Sequence, residues 1–367
     1  MAESIGKRKA EHIKICLEEK AQAKKATSGF EDIQFIHRAL PEINKNQIKL
    51  STTFLGKKLS APIIVGAMTG GTKEAIKINS SIAQAVEILG LGMGVGSQRA
   101  AIEHQNLEES FKVARKNAPT AFLIANVGGV QLVHGFGLKE VKKVVEMIDA
   151  DAVAVHLNAL QEAVQPEGQT NFKGVLAKIA EITSKLDKPV IVKETGAGIS
   201  AEDAKALETA GVAAIDVSGV GGTSFAAVEY YRSTEKKEPV QHFLGEAFWD
   251  WGIPTAVSLI EIAQTVKIPI IASGGVRSGT DIAKALALNA CLASISQPIL
   301  ETAVLGAAET EAKLSCIIEE LRNAMFLVGA EKPADLTGTP VVVTGKTGEW
   351  LQARGFNSQK YAKRGAR

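Results

Sequence analysis

Cysteine is scarce in this chain of 367 residues, and its three cysteines, Cys16, Cys291 and Cys316, stand far apart. The sequence has no CxxC motif and no cluster of cysteine with histidine. A structural zinc site or an iron–sulfur cluster needs such a cluster, and a small secreted domain needs paired cysteines. The cysteine content therefore argues against all three classes of protein.

Long apolar runs and a strong charge of one sign are also absent. No run reaches the roughly 18 apolar residues of a membrane-spanning helix, and the N-terminus is charged from Lys7 onward, unlike a signal peptide. The net charge of +2 gives no indication of a nucleic-acid partner. We therefore expect a soluble, cytoplasmic protein that binds neither membrane nor nucleic acid.

A repeat of short apolar runs is the main feature that is present. Eight runs recur at about the 30-residue spacing of strand–helix units, and each ends in polar residues or glycine. Segments with helical apolar spacing, such as residues 80–89 and 281–288, lie between most of them. Parallel strands need such crossovers, so the repeat predicts a (β/α)8 TIM barrel with its chemistry at the C-terminal strand ends. The eight runs are residues 61–66, 90–96, 121–127, 152–158, 189–194, 213–218, 268–273 and 291–297.

The predicted barrel occupies residues 61–329 and leaves a flanking segment at each end. Residues 1–60 form an N-terminal extension with a helix and small strands, and residues 330–367 form a polar, basic C-terminal tail. One barrel with extensions accounts for the length better than two ordinary domains.

Local patterns divide the extension further. Charged residues with helical spacing predict a helix over residues 5–25, and short strands are expected near Phe35 and within residues 48–54. Gly56 marks a turn. A long final barrel helix is predicted over residues 303–326.

One connection is longer than a barrel requires. About 50 residues, 219–267, separate the sixth and seventh predicted strands, whereas the loops beside a barrel helix have about 2–6 residues. This long insert between the sixth strand and its helix contains a charged stretch over residues 230–242, followed by Trp249 and Trp251. An insert on the catalytic face is usually a lid or binding loop. A surface excursion without function is the alternative.

Two glycine-rich segments follow neighbouring strands. The seventh strand ends in SGGVRSG at residues 273–279, and the sixth ends in SGVGGTS at residues 218–224. Glycine lets backbone N–H groups approach an anion, and Arg277 adds a fork of donors. This is the usual phosphate corner of the fold, so we predict a phosphate site there. The alternative is that the glycines only permit tight turns.

Polar residues stand where the fourth and fifth strands should simply end. The two-residue period puts His156 and Asn158 on one face, with Gln161 and Glu162 in the loop above. Lys193 ends the fifth strand, where an anionic ligand would explain a charge that is costly to bury. A lone histidine is more often structural, but these neighbours favour a role for His156 in catalysis.

Glu162 is a single carboxylate, which suits magnesium because that ion takes few protein ligands beside water and phosphate oxygens. A salt bridge at the rim is the alternative for Glu162. The sequence has no HxxxH or HxH motif, so a zinc site is not expected.

Nine segments together resemble the type 2 isopentenyl diphosphate isomerases, and in particular their archaeal members. The match runs in order over nearly the whole chain, and the combination of HLNALQE, VSGVGGTS and an N-terminal RKAEH is specific. The segments are RKAEH at 8–12, AMTGG at 67–71, GSQR at 96–99, ANVG at 125–128, HLNALQE at 156–162, KE at 193–194, DVSGVGGTS at 216–224, WGIPT at 251–255 and SGGVR at 273–277.

The resemblance implies an enzyme of isoprenoid biosynthesis that interconverts isopentenyl and dimethylallyl diphosphate. It implies FMN in its reduced form, Mg²⁺, and NADPH or NADH as the source of electrons, although the reaction has no net redox change. Proton addition and abstraction make up the chemistry. No strong protein acid is evident in the sequence, so the reduced flavin is expected to carry the proton. A homo-oligomer, either tetramer or octamer, is also implied.

The resemblance also implies roles for individual residues, with the N-terminal extension contributing to the substrate site. His156, Asn158 and Gln161 are the expected catalytic residues, and Glu162 is the expected Mg²⁺ ligand. Lys193 is expected near the pyrimidine edge of the flavin. The diphosphate substrate is expected to contact Arg8, Lys9, Ser97, Arg99, His156, Asn158 and Gln161. FMN is expected to contact Met68, Thr69, Gly70, Ser97, Asn126, Lys193, Ser218, Thr223, Gly275, Arg277, Ser296 and Gln297.

Three positions stand apart from the family pattern or its expected roles. Phe225 stands where a tryptophan is half expected, Asn289 stands where glycine is common, and Glu229 is a candidate acid, base or metal neighbour. Two other functions remain as alternatives. One is an FMN-dependent α-hydroxy acid oxidoreductase, although no histidine–arginine pair lies near the seventh strand. The other is a non-catalytic protein that binds flavin or a polyprenyl phosphate.

Overall fold

Twelve strands occur in residues 2–18 and 21–365, which are the residues that the computed structural model describes. They are β1 (Ile33–Phe35), β2 (Thr52–Phe54), β3 (Lys57–Leu59), β4 (Ile63–Val65), β5 (Gly92–Gly94), β6 (Phe122–Gly128), β7 (Ala152–His156), β8 (Val190–Lys193), β9 (Ala214–Asp216), β10 (Ile270–Ala272), β11 (Leu292–Ile295) and β12 (Val341–Val343). Strands β4 to β11 form a closed parallel barrel in the order β10-β11-β4-β5-β6-β7-β8-β9.

Helices surround the barrel and fill its connections. Among the described residues they are α1 (Ala2–Glu18), α2 (Lys73–Leu89), α3 (Arg99–Glu103), α4 (Glu109–Asn117), α5 (Leu138–Met147), α6 (Ala159–Val164), α7 (Val175–Lys185), α8 (Ala201–Thr209), α9 (Phe225–Lys236), α10 (Pro239–Ala247), α11 (Thr255–Ala263), α12 (Gly279–Ala287), α13 (Gln297–Ala303), α14 (Ala307–Val328), α15 (Pro333–Leu336), α16 (Gly345–Ala353) and α17 (Gln359–Ala362). Short 3₁₀ helices cover Phe30–Asp32, Lys45–Gln47, Gln105–Leu107 and Val130–Val133. None of these described helices is long and apolar enough to span a bilayer.

Each of the eight predicted apolar runs coincides with one barrel strand, and only β6 extends beyond its run, by one residue, so the predicted (β/α)8 barrel is confirmed. The strands are mostly apolar because both faces are buried, and all seven residues of β6 are buried. The register aligns the functional ends of the strands. His156 of β7 pairs with Lys193 of β8, which pairs in turn with Asp216 of β9.

The N-terminal extension differs from the sequence-based prediction in two details. Helix α1 ends at Glu18 rather than continuing to residue 25, and residues 19 and 20 lie outside the described residues. Beyond them, Ala23 donates to the carbonyl of Gly222, so the chain is held by the insert rather than by helical bonds. The predicted turn at Gly56 joins β2 to β3, an unpredicted strand whose partner lies only two residues away.

Residues after the last barrel helix pack on the barrel. Strand β12 pairs antiparallel with β1, which lies some 300 residues earlier, and Leu351 and Tyr361 are fully buried. The sequence indicated none of this because a run of three apolar residues has no readable period. The long helix predicted over residues 303–326 is present as α14, which begins at Ala307 after the N-cap Gly306 and ends at Val328.

The long insert is helical rather than irregular. Helices α9 and α10 pack against each other and α9 also packs on α1. Trp249 anchors the insert, since it is 4% exposed and its Nε1 donates to the carbonyl of Gln22 at 2.9 Å. The insert therefore forms a wall beside the C-terminal strand ends. Its closure as a lid stays a prediction.

Candidate active site

A cavity of about 280 Å³ opens at the C-terminal ends of the barrel strands. All the residues assigned a site role from the sequence line it, with the exceptions of Gly70 and Glu229. Gly70 packs against Phe111, and a Cβ atom at Gly70 would lie 2.0 Å from a carbon of the Phe111 ring. The residues that the structure brings together are Arg8, Lys9, Met68, Thr69, Ser97, Arg99, Asn126, His156, Asn158, Gln161, Glu162, Lys193, Ser218, Thr223, Gly275, Arg277, Ser296 and Gln297.

The cavity carries an excess of positive charge. Burial, followed by the charges of Arg8 and Arg99, lowers the pKa of Lys9 to about 7. An anionic ligand would be attracted to this lining and would raise the pKa of Lys9 again. The charged side chains of the lining are Arg8, Lys9, Arg99, Lys193 and Arg277 against Glu162 and Asp216.

Two glycine-rich loops meet at one side of the cavity, after β9 and β10. Gly275 has a φ of 70°, and a Cβ atom there would lie 2.6 Å from the carbonyl oxygen of Gly221. A Cβ atom at Gly222 would lie 2.7 Å from the backbone nitrogen of Gly275 and would cover its N–H group. Arg277 donates to the carbonyl of Gly221 at 3.1 Å. The loops thus leave a backbone cradle open beside a guanidinium group, which suits a phosphate.

Lys193 lies at the centre of the strand ends, between His156 and Asp216 in the barrel register. Its Nζ donates to the carbonyl of Glu194. The Asp216 carboxylate accepts from the hydroxyl of Ser273, and burial raises the pKa of Asp216. Lys193 of β8 therefore lies beside the carboxyl group of Asp216 on the neighbouring strand β9.

Glu194 fixes the loop that follows Lys193. Its Oε2 atom accepts hydrogen bonds from the backbone N–H groups of Thr195, Gly196 and Ala197. Glu194 is 7% exposed and does not line the main cavity. Its effect on the site is to hold Thr195 and Gly196 at the cavity wall.

His156 ends β7 at the cavity. Its Nδ1 lies 2.8 Å from Oδ1 of Asn126 on the neighbouring strand β6. Burial, followed by the charges of Lys193 and Lys9, lowers the pKa of His156 to about 3. The imidazole is therefore neutral at physiological pH and lacks the charge of an acid catalyst.

Three polar side chains surround the start of α6. Asn158 occupies the N-cap position, and its Nδ2 donates to Oε1 of Gln161 at 3.2 Å and to Oε1 of Glu162 at 2.9 Å. The Oδ1 atom of Asn158 is buried and has no hydrogen-bond partner among the described residues. A buried acceptor is costly when it has no partner. The atom therefore indicates that a ligand or solvent donates to it.

The loop after α6 folds back onto Glu162. The backbone N–H of Gln169 donates to Oε2 of Glu162 at 2.6 Å. The Oε1 atom of Gln169 accepts from Arg99 at 3.2 Å and from Nε2 of Gln131 at 3.0 Å. Gln169 thus connects the carboxylate expected to bind metal with an arginine expected to bind diphosphate.

Helix α1 covers the cavity with Arg8, Lys9 and His12. Lys9 donates to the carbonyl of Ser97 at 2.8 Å, which fixes the helix against the loop after β5. The Nε2 atom of His12 lies 3.1 Å from Oε1 of Glu229 on α9. Glu229 is fully buried and does not line the cavity.

Arg232 of α9 forms an ion pair with helix α1. It is 2% exposed and pairs with three carboxylates, those of Glu229, Glu11 at 3.1 Å and Glu167 at 3.3 Å. Glu11 belongs to α1, and Glu167 precedes α7. The arginine therefore joins α9 to the helix that carries Arg8 and Lys9.

Both departures from the family pattern fit this structure. The ring of Phe225 lines the cavity and meets the His12 ring edge-on, with 6.1 Å between centroids. Asn289 has a φ of 77°, the left-handed conformation in which asparagine is the usual substitute for glycine.

Sequence reasoning gave no role to several residues that line the cavity. Gln131 and Thr195 follow the third and fifth predicted strands, and this position after a strand was the one feature of the sequence that could have indicated them. Gln169 has no such signal, because it reaches the site through the fold of a loop. The unassigned polar residues of the wall are His12, Gln22, Gln131, Gln165, Thr195, Asp216, Ser273 and Ser294.

Comparison with known proteins identifies close relatives of the whole chain. The model of the family described as FMN-dependent dehydrogenase matches residues 1–124 and 139–343. The isopentenyl-diphosphate delta-isomerase of Methanosarcina mazei is 51% identical over 357 residues, which cover 97% of each chain. The protein of that name from Methanothermobacter thermautotrophicus is 50% identical over 98% of this chain and 99% of its own. That of Pyrococcus furiosus is 50% identical over 98% of this chain and 92% of its own.

Solved structures show the same fold at much lower identity. A mandelate oxidase mutant with an FMN adduct superimposes with a TM-score of 0.61 at 18% identity, covering 90% of this chain and 95% of that one. A putative lactate oxidase from Pediococcus acidilactici gives a TM-score of 0.62 at 19% identity, covering 94% of each chain. At such identities the likeness concerns the barrel alone.

Proposed function

We propose, since this chain belongs to the family of isopentenyl-diphosphate delta-isomerases, that it interconverts isopentenyl diphosphate and dimethylallyl diphosphate in the cavity at the C-terminal strand ends. The observation that carries the proposal is identity of about half the residues to archaeal relatives of that name over nearly the full length of both chains. The cavity agrees with it, since an excess of positive charge suits a diphosphate ester.

The residues present fit FMN. A side chain at Gly222 would cover the N–H group of Gly275, so glycine there keeps a phosphate cradle open beside Arg277. The hydroxyl of Thr69, in the segment after β4, is buried without a partner among the described residues. We assign the cradle to the FMN phosphate and Thr69, Asn126 and Lys193 to the ring.

Reduced FMN would supply the acid–base group for the alkene, with NADPH as its source of electrons. The residues of the chain determine the charge around the flavin. Lys193, which pairs with Asp216 in the register, would place a positive charge near the negative charge of the reduced ring. Neutral His156 adds no competing acid.

The residues present also fit Mg²⁺. No three metal-ligating side chains come together anywhere in the described part of the chain, so the protein alone forms no closed metal site. Glu162 lines the cavity, and each of its oxygens accepts one hydrogen bond, from Asn158 or from Gln169. A second lone pair of each oxygen is left for a cation. A single carboxylate with substrate phosphates and water is a usual magnesium environment.

Three cations would bind the substrate diphosphate. Arg8 and Lys9 approach from α1, and Arg99 approaches from the start of α3 with one NH group held by Gln169. The positive charges come from two separate elements and so enclose the diphosphate between them. Gln161 would orient the substrate from the first turn of α6, and the apolar tail would lie toward Phe225.

The experiment is an anaerobic assay in which purified protein, FMN, NADPH and Mg²⁺ are supplied with isopentenyl diphosphate. We expect dimethylallyl diphosphate to form, and to stop forming when the flavin is left oxidised or Mg²⁺ is chelated. A matched sample receives a 2-hydroxy acid in air, to detect the oxidase chemistry of the structural neighbours. Bound FMN with oxidation of the 2-hydroxy acid and no isomer exchange would contradict the proposal. Bound FMN with neither activity would indicate a binding protein.

Quaternary structure and location belong to the same proposal. A cytoplasmic homo-oligomer, tetramer or octamer, agrees with the exposed apolar side chains of the insert, among them Phe243 at 68% and Trp251 at 62% exposure. Light scattering of the purified protein measures the oligomeric state.

A further inference from the structure

The orientation of the Asn126 side chain is fixed by its contact with Val95. Its Nδ2 lies 3.0 Å from the carbonyl oxygen of Val95. A carbonyl oxygen only accepts hydrogen bonds, so the NH₂ group of Asn126 must face Val95. The Oδ1 atom of Asn126 therefore points the other way, toward His156.

His156 must consequently donate to Asn126. Its Nδ1 lies 2.8 Å from Oδ1 of Asn126, which has no hydrogen to give. The hydrogen of this bond is therefore on Nδ1. A neutral imidazole carries one N–H group, so Nε2 of His156 is left with a lone pair.

The residues behind Asn126 hold it in this position. Its backbone N–H donates to Oε1 of Gln98 at 2.9 Å, and its backbone carbonyl accepts from the N–H of Gln98 at 2.9 Å. Gln98 is fully buried, and its Nε2 donates to the carbonyl of Val144 at 2.9 Å. The side-chain amides of Asn126 and Gln98 both have partners for their oxygen and their nitrogen. Reversal of either amide would therefore place donor against donor or acceptor against acceptor in a buried site.

We propose that Asn126 is a positioning residue that fixes the Nδ1–H tautomer of His156, so that Nε2 of His156 is left unprotonated as a hydrogen-bond acceptor. The role that this acceptor serves rests on the proposed function. Ionised isopentenyl diphosphate consists of a hydrocarbon tail and phosphate oxygens, and it has no N–H or O–H group to donate. The partner of Nε2 is therefore a donor that the substrate does not carry, which departs from the diphosphate contact that the resemblance implied for His156.

The tautomer is measured directly by NMR of the FMN-loaded protein labelled with ¹⁵N-histidine. A two-bond ¹H–¹⁵N spectrum distinguishes protonated from unprotonated ring nitrogens, and the signals of His156 are assigned by their loss in His156→Gln. The other histidines of the six in the chain serve as internal references. We expect protonated Nδ1 and unprotonated Nε2 between about pH 6 and pH 8, the range in which a free histidine titrates. A proton on Nε2 of the wild-type protein in that range would overturn the proposal.

The role of Asn126 is tested in the same spectrum with Asn126→Leu, which has a similar volume and no acceptor. We expect His156 to lose its single tautomer while the reference histidines keep theirs. An unchanged His156 pattern in a variant that still binds FMN would overturn the proposal. Because neither spectrum depends on turnover, a failure of the isomerase assay leaves this test intact.

A pair of substitutions tests which ring nitrogen matters for the reaction. The amide of glutamine reaches the position of Nε2, whereas the shorter asparagine reaches only that of Nδ1. We expect His156→Gln to retain a kcat about tenfold higher than that of His156→Asn, the factor that one hydrogen bond of about 1.4 kcal/mol supplies. KM should differ little between the two. Equal or reversed kcat values, with FMN bound to both, would contradict an acceptor at Nε2.

Discussion

The carboxylate of Glu162 accepts a hydrogen bond of 2.6 Å from the backbone of Gln169. The side chain of Gln169 accepts in turn from Arg99 and Gln131. One residue thereby sets the relative positions of an acidic and a basic group, which in the proposed function hold Mg²⁺ and the diphosphate. Such outer contacts orient metal ligands in many enzymes.

Substitution of Gln169 should weaken substrate binding more than metal binding. Gln169→Ala removes one of two acceptors for Arg99, whose Nε still donates to Glu103, and it keeps the backbone N–H that contacts Glu162. We expect KM for isopentenyl diphosphate to rise about tenfold, the effect of losing one hydrogen bond to a charged group. Gln169→Glu keeps an acceptor for Arg99 and is the matched control. An unchanged KM in Gln169→Ala would show that Arg99 needs no support from this loop.

Substitution of Glu162 should remove the metal. Glu162→Gln keeps an oxygen that can accept from Asn158 but loses the negative charge. We expect the affinity for divalent cations to fall by more than the roughly 10–100-fold that changes in outer contacts produce. Mn²⁺ titrations followed by electron paramagnetic resonance measure this with substrate present and flavin oxidised, so no turnover is needed. Equal Mn²⁺ affinity in both proteins would assign the metal elsewhere.

Binding of the diphosphate should take up a proton at Lys9. Burial lowers the pKa of Lys9 to about 7 in the unliganded cavity, and a diphosphate would raise it. At about pH 8 Lys9 is therefore mostly neutral before binding and charged afterwards, whereas at about pH 6 it is charged in both states. Calorimetry in buffers of different ionisation enthalpy should show uptake of close to one proton at the higher pH and little at the lower.

The control for this titration is Lys9→Met, which keeps the aliphatic chain. Proton uptake at the higher pH should disappear in this variant, and affinity should fall because one positive charge is lost. Uptake of the same size in Lys9→Met would place the titrating group on another residue.

Arg232 should be important for stability. It is 2% exposed and faces the fully buried Glu229, so Arg232→Met leaves a buried carboxylate without its cation. We expect the free energy of unfolding to fall by about 3–5 kcal/mol, as when one partner of a buried ion pair is removed. Urea denaturation measures the change.

A double variant separates the lost ion pair from lost packing. Arg232→Met combined with Glu229→Gln removes both charges, and it should recover part of the stability that Arg232→Met loses. Recovery would show that the unpaired carboxylate is the cause. If the double variant were less stable than Arg232→Met alone, the interpretation of the pair would be wrong.

The barrel could be predicted from the sequence because its signal is local. Each strand is an apolar run such as 121–127, buried on both faces, and each helix between strands has its own periodicity. A short strand near Phe35 was predicted, but its pairing with Val341–Val343 was not, because three apolar residues carry no pattern and the two segments are remote in sequence. Tertiary contacts alone determine such short strands.

Some residues of the candidate site could likewise be predicted from the sequence, and others could not. His156, Lys193 and Glu162 stand out because polar residues end apolar strands or follow them directly. Gln169 and Arg232 do not stand out, since their role comes from contacts with residues of other elements. Sequence therefore indicated the groups that face the cavity, whereas the residues that orient those groups required the structure.

In the proposed reaction, a proton is added to the alkene of isopentenyl diphosphate in this cavity and another is removed. The most direct measurement is an anaerobic reaction in D₂O with reduced FMN and Mg²⁺, followed by ¹H NMR. We expect dimethylallyl diphosphate with solvent deuterium in its newly formed methyl group, since the proton added there is exchangeable with water. Absence of product, or product whose new methyl group contains no deuterium, would contradict the proposed reaction.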